Sequence, residues 1–222
     1  MVEADISTKS STVRTRKPRG EYAKSAATRN AILDAALEVF AQSGFRAGSL
    51  RDVAARVGMS EAGLLHHFKN KSALLQAVLD HRDDHARELV DFDLLDGVES
   101  LRGLVRLARY NQSIPGVVEL FCVLSAEATS PDHPAHEYFV ARYASVRESI
   151  TAAFGRIADS GRLLPGADPA RAAVATIAMM DGLQVQWLLN SEAVDMADAL
   201  QEFVGALVLD FDAVAATEGS RA

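Results

Sequence analysis

The residues with the most chemical content lie between Ser49 and Lys71, in SLRDVAARVGMSEAGLLHHFKNK. Ala54, Gly58 and Leu64 stand at relative positions 0, +4 and +10. Two helices that cross closely need a small residue at the contact. They need a residue tolerant of positive φ in the turn, which glycine supplies at no steric cost. They also need an apolar anchor inside the second helix. This spacing is that of a helix-turn-helix, and its chemistry is recognition of DNA, with the second helix lying in a major groove. The candidate contacts are Ser49 and Arg51 on the first helix, then Ser60, Glu61, Ala62, Gly63, Leu65, His66 and His67 on the second, and Lys71 beyond it. Arg51 could grip a guanine edge or only phosphate.

The elements that must hold these residues carry their own signatures. Ser49 can cap the first helix, with Asp52 giving a variant of the capping box. Val53, Ala54 and Val57 form its apolar stripe, and Gly58 ends it. Ser60 can cap the second helix, and Glu61 suits that terminus by the dipole. Asn70 can cap a third, whose first turn holds Lys71. A lysine is unfavourable there unless it has another purpose, and a phosphate at that N-terminus would supply one. The competing reading is an ordinary α-hairpin inside a helical enzyme, for which no acid, base or nucleophile constellation can be assembled.

From Thr28 to Leu79 the chain resembles the tetracycline-repressor (TetR) family of bacterial transcription regulators. The matching residues are Ile32-Leu33-Asp34-Ala35-Ala36, Phe40-Ala41, Gly44-Phe45, Val53-Ala54, Val57-Gly58, Ser60, Leu64, His67-Phe68, Lys71 and Leu74-Leu75. The later part resembles the family only through its helical plan and the run Asp181-Gly182-Leu183-Gln184. Gly63 and Leu65 stand where the family often has Thr and Tyr, so they offer no hydroxyl to phosphate. The resemblance implies a ligand-responsive repressor in which a long helix from Ser72 acts as lever between pocket and reader.

Composition agrees. Cys122 is the only cysteine, so no intramolecular disulfide forms, and its apolar neighbours mark it as a buried inert thiol. No unbroken apolar run reaches the roughly 18 residues of a membrane span, and no signal core opens the chain, so a cytoplasmic protein is expected. The net charge of −7 is unevenly spread. Residues 1–75 hold twelve Lys and Arg against seven Asp and Glu, whereas the rest holds eleven against twenty-three. The basic part is therefore the one suited to phosphate.

The expected fold is all-α. Residues 1–20 read as a disordered basic arm, with Arg14, Arg16, Lys17 and Arg19 able to track a minor groove. Residues 21–75 read as a three-helix DNA-binding domain, and 76–222 as a larger helical ligand-binding and dimerisation domain. Helices are expected over Ala26–Gln42, Ser72–Val90, Leu101–Ala108 after a break at Gly97, Pro115–Ala128, Ala135–Ala158, Asp168–Leu189 and Asp195–Val214. The last two are too apolar for one buried face each, which implies a homodimer reading a pseudo-palindromic operator.

The middle helices are the expected sensor for a small-molecule effector, whose identity the sequence does not name. Candidate lining residues are Tyr110, Phe121, Tyr138, Phe139, Tyr143, Met180 and Trp187, with Glu127, Arg142 and Gln184 as polar anchors and Gln112 nearby. No cofactor is implied. His81 with His85, and His133 with His136, read as solvated or loop residues rather than metal ligands.

Overall fold

A computed structural model describes residues 19–90 and 96–212. The described residues form helices, joined by turns and one antiparallel bridge between Leu163 and Val208. The helices are α1 (Arg19–Ala47), α2 (Leu50–Val57), α3 (Glu61–His67), α4 (Lys71–Leu89), α5 (Gly97–Gln112), α6 (Pro115–Glu127), α7 (His136–Asp159), α8 (Pro169–Leu189) and α9 (Met196–Gly205). The expected all-α class holds. Arg14, Arg16 and Lys17 of the basic arm lie outside the described residues, and Arg19 already begins α1.

The capping chemistry works as its residue types dictate. Ser49 Oγ accepts the Asp52 N–H at 3.1 Å and donates to Asp52 Oδ2 at 2.6 Å. Gly58, at φ 73°, turns α2 off. Its N–H donates to Ala55 O, while the Met59 N–H reaches back to Ala54 O, the paired bonds of a Schellman motif. Ser60 Oγ accepts from Gly63 N–H, and Asn70 Oδ1 from Ala73 N–H. Val53, Ala54 and Leu64 are buried where α2 and α3 meet α1.

Three expectations needed correction. α1 begins earlier than Ala26 and runs on past Gly44, whose φ of 68° and ψ of 174° kink it before a last turn to Ala47. Gly97 does not break a helix; it opens α5 under an Asp96 cap. It is glycine because a Cβ would lie 2.2 Å from the Ala153 carbonyl oxygen of α7. The last helix stops at Gly205 rather than near Val214. The chain beyond it is drawn into pairing with residues 162–164, through Leu164 N–H to Leu207 O and Leu209 N–H to Arg162 O. That pairing competes with continuation of the helix.

Two apolar cores result. One gathers Ile32, Ala36 and Phe40 of α1, Val53 and Leu64 of the turn motif, and Leu74, Leu75 and Val78 of α4. It continues into Leu120, Phe121 and Leu124 of α6 and Phe139 of α7. The other joins Leu101 and Leu104 of α5, Ile150 and Phe154 of α7, Ala173 and Leu183 of α8, and Leu200 and Val204 of α9. Tyr143 packs against both. α8 is long and apolar enough by length and composition to cross a membrane, although no unbroken apolar run spans it. Arg171 and Asp181 interrupt it, and Ala172, Ala173, Thr176, Ile177, Leu183 and Trp187 bury one side of it in the second core.

Candidate nucleic-acid interface and interior cavities

The ten DNA-contact candidates gather along α2, α3 and the start of α4. Ser60, Glu61, Ala62, His66 and Arg51 are exposed, and Leu65 stays 40% exposed although it is a large apolar residue. Ser49, Gly63, His67 and Lys71 are half-buried. Leu64 and Phe68 point the other way, into the core. The α3 face away from the core is therefore unengaged by the rest of the described chain. Arg56 is committed elsewhere, bonding Glu38 and Gln42 of α1 and so fixing α2 against it.

Lys71 has a partner that sequence reasoning missed. Its Nζ donates to the Arg46 carbonyl at 3.2 Å and sits 4.5 Å from the centre of the Phe45 ring. It thus closes the C-terminal end of α1, where a cation is favoured by the dipole. Burial holds its pKa below the ordinary lysine value, and Glu127 acts against that shift. The ammonium joins α1 to α4 through these two contacts.

Glu127, an expected pocket anchor, stands at the same joint. Its Oε2 accepts the Phe45 N–H at 2.9 Å, and its Oε1 fills the space beside Gly44. His133 Nδ1 accepts the Ala135 N–H, which leaves the proton on Nε2, 3.4 Å from Glu127 Oε2. That approach falls outside hydrogen-bond geometry, and Nε2 is buried without another partner among the described residues. The His133 ring also meets Phe45 edge-on at 5.2 Å. His136 bonds the Ala128 carbonyl, so both loop histidines serve the α6–α7 turn.

The remaining pocket candidates do not converge on one cavity. Phe121, Tyr138, Phe139, Arg142 and Tyr143 form a polar-aromatic cluster between α4, α6, α7 and α8. Its hub is Asp83, which accepts from Tyr138 Oη at 2.6 Å, from Arg82 at 3.3 Å and from Arg142. Arg82 and Arg142 both lie over the Phe121 ring. Burial first, then Arg142, lowers the Arg82 pKa to about 10. Burial raises Tyr138 and pushes Tyr143 up to about 12. Tyr143 donates to Asp181 at 2.9 Å, and burial raises that carboxyl too. Arg82 and Asp83 escaped sequence reasoning, and Asp181 entered it only within the run Asp181-Gly182-Leu183-Gln184. Arg82 and Asp83 had a signal, since they occupy the apolar stripe of α4 between Val78, Leu79 and Ala86.

Met180 and Gln184 border a void of about 10 Å³ with Ala108, Asn111, Leu183, Met196 and Leu200, room for a single water at most. Trp187 is core, and Gln112 lies at the end of α5. Tyr110 alone of the candidates lines a larger cleft of about 250 Å³ between α1, α4, α5 and α6. Cys122 is half-buried beside Gln184, and burial pushes its thiol up to about 11, so it stays protonated and unreactive.

Comparison with known proteins places both parts of the chain. The family described as "Bacterial regulatory proteins, tetR family" matches residues 32–78, and "BetI-type transcriptional repressor, C-terminal" matches residues 116–211. The chain is 29% identical over 195 residues to the HTH-type transcriptional regulator TtgR of Pseudomonas putida, covering 80% of this chain and 88% of TtgR. Among solved structures it is similar to SmeT, the repressor of the Stenotrophomonas maltophilia multidrug efflux pump SmeDEF. The TM-score is 0.66 at 26% identity, over 82% of this chain and 91% of SmeT. NalD, the secondary repressor of the MexAB-OprM multidrug efflux pump in Pseudomonas aeruginosa, gives 0.63 at 26%, over 84% and 98%.

Proposed function

Because the chain belongs to the TetR family of bacterial transcriptional regulators, we propose that it is a homodimeric repressor that leaves its operator when a small molecule binds. It is a regulator and not an enzyme, since both matched parts are those of regulators. The observation that carries the DNA reading is the capped α2–turn–α3 unit with its outer face free: Ser60, Glu61, Ala62, Gly63, Leu65, His66 and His67 offered to a major groove, with Ser49, Arg51 and Lys71 flanking. Residues up to about 75 are the reader, and those from 76 onward carry effector and dimer contacts. Such a protein works in the cytoplasm, beside its DNA.

Dimerisation is supported by α8. Its side away from the second core exposes Val174, Val185, Leu188 and Leu189, with Ala175 and Ala178 between them. Small residues let a second copy approach closely, and a two-fold pairing of α8 and α9 would bury the apolar excess. Two readers spaced a DNA turn apart then read a pseudo-palindrome. Effector control is supported by relatives: a complex of SmeT with triclosan is among the similar structures. A gel shift of the pure protein on fragments of its own upstream DNA tests the reading. A sequence-selective complex that survives an excess of random competitor DNA is expected, and binding equal to that on random DNA would overturn it.

A further inference from the structure

The cleft of about 250 Å³ is walled by apolar groups from four helices, among them Leu37 of α1, Ala86 of α4, Leu107 of α5 and Val117 of α6. Two polar side chains are set deep in it. The Arg82 side chain is only 10% exposed. Its Nη1 donates to Asp83 Oδ1 at 3.3 Å, and the guanidinium lies 4.1 Å from the Phe121 ring centre. Its Nε and Nη2 meet no acceptor among the described residues. Asn111 is 4% exposed, and its amide has no hydrogen-bond partner among the described residues. The polar atoms of these two side chains that bond nothing among the described residues are not fully enclosed, so they stay open to an acceptor that enters the cleft they line.

On the reading that the chain is a ligand-released regulator, we infer that this cleft is the effector site and that the effector is a small monoanionic acid with an apolar body, its carboxylate held by Arg82 and Asn111. A guanidinium fork matches a carboxylate better than it matches a neutral acceptor. A dianion is opposed by Asp34, which lines the cleft, and by Asp83 beside Arg82. The volume lies below the 300–1,000 Å³ usual for drug-sized ligands, which sets an upper bound of about two fused rings. Position supplies the regulation. Asp34 and Leu37 belong to α1, the helix that carries α2 and α3, so a bound acid touches the reader's own scaffold. It shifts the α1–α6 arrangement to whichever form binds it better.

Calorimetric titration of the full chain with 1-naphthoate and with neutral 1-naphthamide tests this. Naphthoate should bind at least tenfold more tightly. Arg82→Gln should abolish that preference while leaving naphthamide binding unchanged. Val117→Phe, which fills the cleft without touching the Asp83 cluster, should abolish both, and it decides the matter if Arg82→Gln does not fold. Equal affinity for acid and amide, no heat with naphthoate at millimolar concentration, or naphthoate binding unchanged in Val117→Phe would overturn the site. A chain that binds naphthoate but no upstream DNA keeps the site and loses the regulator. One that binds DNA but no naphthoate does the reverse.

Discussion

The backbone N–H of Phe45 donates to Glu127 Oε2 at 2.9 Å, across 82 residues of sequence. This bond ties the kinked end of α1 to the last turn of α6. It holds Gly44 in a conformation that a side chain could not share, because Glu127 occupies the place of its Cβ. The reader and the larger helical part therefore meet through a directional polar contact as well as through the apolar α1–α6 packing. Glu127→Ala should leave the Phe45 N–H without an acceptor and destabilise the chain by about 1–3 kcal/mol. Glu127→Gln, which keeps a carbonyl acceptor, should cost less. Urea unfolding of the two variants checks the order. Equal stability of Glu127→Ala and the parent would remove the bond from the joint.

Lys71 stands at the other side of that joint. Its ammonium meets a neutral carbonyl and a ring face rather than a carboxylate, so its charge remains available to phosphate. Lys71→Ala should weaken binding to all DNA sequences about equally and lower the salt slope by about one. The measurement is operator and random-DNA affinity at several salt concentrations. An unchanged slope would assign Lys71 to the α1–α4 contact alone.

The reader was legible in the sequence because its determinants are local. Ser49, Gly58, Ser60 and Asn70 act on amides or carbonyls within a few residues, and their types name the bonds they make. The interior polar cluster was not legible. Asp83 meets Tyr138 and Arg142 across 55 and 59 residues, and only the packing of α4 against α7 brings them together. Glu127 reads as a pocket anchor because it is a carboxylate at the end of an apolar helix. Its role depends on the kink at Gly44, far away in sequence.

Gly63 is half-buried within α3, and a Cβ there would meet Ser60 Oγ at an ordinary 3.4 Å. Nothing among the described residues requires glycine at that point. A helix position without a side chain lets backbone approach a ligand closely, at a stability cost. Gly63→Ala should stabilise the fold by about 0.5–1 kcal/mol and weaken operator binding. Thermal unfolding beside fluorescence anisotropy separates the two effects. A variant that is more stable and binds equally well would remove close DNA approach as the reason for the glycine.

Asp181 gives a pH prediction. Burial raises its carboxyl above the ordinary value of 3.8, against the opposing Tyr143 hydrogen bond and Arg142. A folded-state pKa above the unfolded one means the ionised form weakens folding. That penalty is full above the folded pKa and disappears as pH falls through it toward 3.8. Asp181→Asn keeps an acceptor for Tyr143 Oη and carries no charge. It should be more stable than the parent at pH 7, with the advantage shrinking as the solution is acidified. Urea midpoints at pH 7 and pH 4 test the sign. An advantage that grows on acidification would show that Arg142 outweighs burial.

The last prediction joins assembly to DNA reading. Phe203 on α9 is half-buried against the second core, so a charge there would disturb the subunit itself. Val185 on α8 is 49% exposed and projects from the face that carries Val174 and Leu189. Val185→Glu therefore leaves the subunit intact and places a carboxylate in the proposed two-fold bundle. Burying an unpaired carboxylate is costly, so the copies should separate. Each separated subunit holds one reader and loses the gain in affinity that comes from linking two. Specific operator binding should collapse while weak, salt-sensitive binding persists through the basic reader. Sedimentation and a DNA titration on the same sample test both halves. A monomeric variant that still binds the full operator tightly would refute the two-reader mechanism, and an undisturbed dimer would move the interface off this face of α8.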